Sequence, residues 1–121
     1  MALKIGTATT RKLTVEAIEP LDFGKTQTHR FDVELEIIPK TEWEMLFKGS
    51  NQPSDSEVLD LTLKDITGLV DEANNPLVFD GGIKAAVLEA PWLVSAIVEQ
   101  QVALQMGKTA AEYKRLKLKN S

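Results

Sequence analysis

Cysteine is absent from this chain of 121 residues. Without a thiol there is no disulfide framework, no thiolate metal site and no cysteine nucleophile, and a reducing compartment suits the chain. Histidine occurs once, at His29. A zinc site draws about three or four nitrogen, sulfur or carboxylate ligands, so no metal is expected, and no cofactor either. Long apolar runs are also missing. None reaches the ~20 residues that span a bilayer without a Glu, Gln or Lys breaking it. The opening Met1-Ala2-Leu3-Lys4-Ile5-Gly6-Thr7 lacks the apolar run of a signal peptide. A cytoplasmic protein with no membrane partner is the expectation. The length fits one domain able to bury its own core.

Charge is present but uneven. The net charge is −4, and the last segment, residues 108–121, carries Lys108, Lys114, Arg115, Lys117 and Lys119 against Glu112 alone. That segment is therefore +4 and residues 1–107 are −8. An acidic body repels phosphate, so nucleic acid is not expected as a ligand. Residues 1–11 read as a flexible arm, and 108–121 as a basic, loosely ordered tail.

Between these ends the pattern is α+β. Leu13, Val15 and Ala17 alternate with Thr14 and Glu16, the period of a half-buried strand. Phe31, Val33, Leu35 and Ile37 alternate with Asp32, Glu34 and Glu36. Pro20, Asp22 and Gly24 lie between the two runs as turn residues, so an N-terminal antiparallel hairpin with one wet face is predicted. Thr41-Glu42-Trp43-Glu44 fits a capping box for a short helix stopped by Gly49. A second helix begins at Ser54 or Ser56 and carries Val58, Leu59, Leu61 and Leu63. Residues 66–79 read as a second short hairpin around Asp71-Glu72-Ala73-Asn74-Asn75-Pro76. Asp80 caps a helix that ends before Pro91. Pro91 opens a long apolar C-terminal helix to Met106, stopped by Gly107. Thr109-Ala110-Ala111-Glu112 is a further capping-box pattern. About four helices result.

No chemistry-bearing constellation emerges. His29, between Thr28 and Arg30, reads as out of phase with the apolar face and hence as an exposed strand residue. Asp55, Glu57 and Asp60 form no calcium loop and serve a helix start. Gly81-Gly82 lacks both the dinucleotide fingerprint and the Lys-Ser/Thr of a phosphate loop. No catalytic residue is expected, and the protein is read as non-enzymatic. The helix from Pro91 is the informative feature, because a helix apolar on most sides needs covering on most sides. Part of that cover is expected from a partner, and the candidate protein-binding residues are Trp92, Leu93, Ile97, Val98 and Leu104.

Over residues 28–106 the chain resembles the tail assembly chaperones of long-tailed bacteriophages. The resemblance rests on Arg30-Phe31-Asp32-Val33-Glu34 followed by a short helix, on Gly68-Leu69-Val70-Asp71-Glu72-Ala73-Asn74-Asn75-Pro76-Leu77-Val78-Phe79, and on a helix pair broken at Ala90-Pro91-Trp92-Leu93. Gly68, Val70 or Asp71, Pro76, Phe79 and Pro91 fall on the family's pattern. Ile66, Asn75 and Val78 depart from it, standing where members often have Trp, Gly and Pro. The resemblance implies a protein of the host cytoplasm that binds the tape measure protein, helps recruit tail tube subunits and is absent from the mature virion. Self-association is compatible with that role. The alternative class is a structural tail component retained in the virion, such as a tail terminator, connector or tube accessory protein.

Overall fold

Alternation of apolar and polar residues builds the first element pair. In the computed structural model, which describes residues 9–119, β1 (Thr10–Pro20) and β2 (Thr26–Glu36) pair antiparallel in unbroken register from Thr10↔Glu36 to Pro20↔Thr26. Leu13 lies opposite Val33 and Val15 opposite Phe31, so the apolar side chains of both strands share one face. Val15, Ala17, Phe31, Val33 and Leu35 are buried there. The strand starts inside the segment expected to be an arm, since Thr10 and Arg11 belong to β1, and the Thr9 carbonyl accepts from Ile37 N–H at 2.6 Å. The rest of that arm, residues 1–8, lies outside the described residues.

A third strand corrects the expectation of a separate second hairpin. β3 (Leu63–Thr67) follows directly on α2 (Asp55–Thr62) and pairs antiparallel with β2, giving one sheet of order β1-β2-β3. Glu34 pairs with Asp65 and Leu35 with Leu63, so Lys64 is an extra residue in the ladder. This bulge has a clear cause. Leu63 and Ile66 are three apart and would face opposite ways on a regular strand; one extra residue turns both inward, and both are buried. What remains of the expected hairpin is the Val70↔Pro76 bridge and a Leu77 N–H to Leu69 carbonyl bond of 2.9 Å. Its turn is held by Asp71, whose Oδ1 accepts from the amides of Ala73 and Asn75, each at 2.9 Å. Gly68 enters this segment at φ +95°, in the left-handed region, against the Phe31 backbone.

Five α-helices accompany the sheet among the described residues. α1 (Lys40–Leu46) starts at Pro39 and has no side-chain cap. The Thr41 capping box is therefore not formed: the helix begins one residue before Thr41, which lies within the first turn. α2 has the expected cap, with Ser54 accepting from Glu57 N–H and Glu57 bonding back to Ser54 N–H, each at 3.2 Å. α3 (Gly81–Leu88) is capped by Asp80, which accepts from Ile83 N–H at 2.8 Å. α4 (Pro91–Gln105) carries Pro at its first position and Gly107 beyond its end at φ +69°. α5 (Ala110–Lys119) occupies the segment expected to be a loose tail, and Thr109 caps it by accepting from Glu112 N–H at 3.2 Å.

The long apolar C-terminal helix is realised only in part: a helix runs from Pro91 to Gln105, close to the bounds read from the sequence, but it is not long and α5 follows it. α3 and α4 are bent by 96° at the break between them. α4 has 15 residues, about 22 Å of helix. Among the described residues no single helix is long and apolar enough to cross a membrane. α4 lies across β1, with Leu93, Val94 and Ile97 facing Val15, Phe31 and Leu35 in one cluster. Val87 of α3 and Leu59 of α2 complete that core. α2, α3 and α4 supply the second layer over the apolar face of the sheet, while Lys12, Thr14, Glu16, Arg30 and Asp32 have the opposite parity.

Candidate interaction surface

The five residues expected to bind a partner are placed in or against the core. Ile97 is fully buried and Leu93 nearly so. Trp92, Val98 and Leu104 are half-buried and pack on the same cluster. They are brought together, but as the seam between α4 and the sheet, so most of their surface is already covered by the chain itself.

Trp92 has a further neighbour. His29 stacks on its ring with centroids 5.1 Å apart and planes tilted by 34°. His29 Nε2 lies 2.8 Å from Glu19 Oε1. The histidine is thus half-buried on the helix-facing side, not an exposed out-of-phase residue. Its number explains this: His29 shares parity with Phe31, Val33 and Leu35, and the inward face simply ends in a polar pair where α4 begins. His29 and Glu19 cap the open end of the core, with no nucleophile beside them in the described contacts.

At the other end of α4 the polar contacts are more demanding. Gln105 Oε1 accepts from Ile38 N–H and its Nε2 donates to the Ile38 carbonyl, both at 2.8 Å. A side-chain amide has the same donor and acceptor as a peptide, so Gln105 continues the ladder of β2 where the strand leaves the sheet. The fully buried Gln101 supports it, donating from Nε2 to the Glu36 carbonyl at 2.9 Å and to Gln105 Oε1 at 2.8 Å.

The exposed apolar residues lie elsewhere. At the β1–β2 turn, Ile18 and Leu21 are about half in solvent and Phe23 is 99% exposed. Phe23 has φ +60° and Gly24 φ +73°. Glycine takes that conformation freely, whereas it costs a side-chain-bearing residue roughly 1–2 kcal/mol. The turn thus holds a large aromatic ring outward against its own backbone preference. Leu61 of α2 is 49% exposed, and Met45, Val70, Val78 and Met106 are exposed as well. None of these is among the five candidates. Sequence offers a faint signal for the tip, because Ile18 has the parity of the polar face and Phe23 is an aromatic residue inside a turn.

Other chemistry has little to stand on. Among the described residues no group of three or more His, Cys, Asp or Glu side chains is arranged to hold a metal ion. The most shifted carboxyl is Asp71, held below its ordinary value first by the Asn75 amide, with Ala73 N–H and the Asn75 side chain adding to it against a desolvation cost. Its bonds close a turn. What the arrangement offers is a negatively charged body with apolar side chains standing clear at the hairpin tip and along α2. Comparison with protein-family models, with curated proteins and with solved structures finds no match for this chain.

Proposed function

We propose that the chain is a tail assembly chaperone of a long-tailed bacteriophage. In this reading it binds the tape measure protein in the host cytoplasm, helps recruit tail tube subunits, and is left out of the finished virion. It catalyses no reaction. The observation that carries the reading is the hairpin tip, where Ile18, Leu21 and Phe23 stand in solvent on an acidic molecule. A cluster of apolar side chains left in solvent is a candidate docking feature, and net negative charge would keep the complex of a chaperone and a poorly soluble helical client in solution.

Several residues of the resemblance have separate structural tasks that agree with this reading. Gly68 supplies the left-handed entry to the 70–76 turn, Asp71 holds that turn, and Pro91 opens α4. The second short hairpin survives as its bridge and turn.

The test is co-expression with the tape measure protein, together with mass spectrometry of purified virions. The expected outcome is capture of the tape measure protein, weakened by Phe23→Ser at unchanged thermal stability, and absence of the chain from virions. Presence in the virion in multiple copies would overturn the reading in favour of a retained tail component.

A further inference from the structure

A groove of about 690 Å³ runs between α2, the end of α3 and the segment joining α1 to α2. Its apolar lining comes from Leu46, Pro53, Leu61 and Leu88, and its rim from Glu57, Asp60 and Glu89. Two contacts hold its walls at a set spacing: Ser56 Oγ donates to the Leu88 carbonyl at 3.1 Å, and Lys84 Nζ donates to the Asp60 carbonyl at 2.7 Å. Lys84 also pairs with the Asp60 carboxylate at 3.5 Å. Glu57 and Glu89 have no cationic partner among the described residues, so the rim stays anionic around an apolar floor whose main side chain, Leu61, is half in solvent.

We infer that this groove binds an amphipathic helix of a partner protein, one with an apolar stripe flanked by lysine and arginine. A helix lays its apolar face into such a groove through residues spaced i, i+3, i+4 and i+7. The charge of the rim selects the flanks, since acidic flanks would meet Glu57 and Glu89 at close range and basic ones are drawn in. The molecule already contains one contact of this type. α5 carries Lys114 and Arg115 and packs on α4, where Lys114 Nζ lies 3.5 Å from Glu99 Oε1. That helix is engaged on α4, so it is not the occupant of the groove. The inference rests on the protein-binding reading above and adds the class of ligand and a second contact surface, distinct from the hairpin tip.

The probe is a synthetic peptide of about 18 residues, long enough to hold helix in water, with Leu at i, i+3, i+4 spacing and Lys at the remaining positions. A Leu/Glu peptide of the same pattern is its counterpart. Affinity is read by fluorescence anisotropy on the full chain and on three variants. Leu61→Ser removes the floor and Glu89→Lys reverses the rim at an exposed helix end that tolerates a cation. Asp32→Lys makes the same charge change on the far face of the sheet. The expected result is binding of the Leu/Lys peptide, weakened about tenfold or more by Leu61→Ser and by Glu89→Lys and about twofold or less by Asp32→Lys. The Leu/Glu peptide should not bind. Equal weakening by both charge reversals, or indifference to Leu61→Ser, would overturn the proposal. So would a wild-type dimer in sedimentation that Leu61→Ser dissociates, because the groove would then belong to a second copy. Capture of the tape measure protein with a groove indifferent to these variants defeats the groove alone. Peptide binding in the groove without such capture defeats the chaperone reading alone.

Discussion

The two ends of the β1–β2 hairpin both carry apolar residues, and these meet opposite fates. At the base, Val33 and Leu35 lie under α4 and are buried; at the tip, Ile18, Leu21 and Phe23 stand in solvent. Strand pairing is continuous from one end to the other, so the ladder does not distinguish them. Cover does. α4 begins at Pro91 and its Trp92 meets His29, and beyond that residue nothing among the described elements overlies the hairpin. Ile18 falls on the polar face by parity and Leu21 and Phe23 lie in the turn outside both strands, so face and missing cover together leave the tip in water.

Substitutions at the two ends sharpen this contrast. Leu35→Ala removes a fully buried side chain from the centre of the sheet and should cost about 3 kcal/mol, seen as a large drop in denaturant midpoint. Gln105→Leu keeps the volume of α4 but leaves the amide and carbonyl of Ile38 without their partner. About 2 kcal/mol of destabilisation is expected, with faster exchange of the Ile38 amide as the local readout. At the tip the sign reverses. Phe23→Gly should raise stability by about 1 kcal/mol, because it relieves a left-handed residue and uncovers nothing. A loss of stability there would mean that the ring is covered after all, and the contrast would fail.

The smallest effect concerns acid. Asp71 has its carboxyl held below the ordinary 3.8, so its folded state binds protons less readily than its unfolded state. The stabilisation it adds to the turn is fully present above 3.8 and is lost as the pH falls through the lower folded value. The amide resonances of Ala73 and Asn75 should shift with an apparent midpoint below 3.8, while the Val33 amide of the base stays unmoved until the whole domain unfolds.

Much of the architecture was legible because it depends on near neighbours. The caps at Ser54, Asp80 and Thr109, the proline opening α4 and the alternation of β1 and β2 involve residues a few positions apart. β3 was not legible, because a bulge at Lys64 breaks the period of two and makes Leu63 and Ile66 look helical. The Thr41 box failed through competition from Pro39, which set the cap two residues early. His29 carried its parity in plain sight, and its partners Glu19 and Trp92 come from two other elements. The five candidate residues lie against the core for a related physical reason. An apolar helix announces that it must be covered, but the sheet that covers it is assembled from segments on both sides of the chain. The groove around Leu61 joins three separate stretches, and no spacing within any of them reveals it.

The amide clamp of Gln105 on Ile38 bears on how the domain is reached as well as on how it is held. Its two residues are 67 apart in sequence, whereas Thr14 and Asp32, bonded across the hairpin, are 18 apart. Closing the longer loop carries the greater entropic penalty and is compensated only when α4 has docked. The longer closure predicts that the hairpin pairs first and that the strand exit at residues 36–38 is sealed last. During synthesis the ribosome delivers the complete hairpin long before it delivers Gln105, so the amide and carbonyl of Ile38 have no side-chain partner until α4 is made.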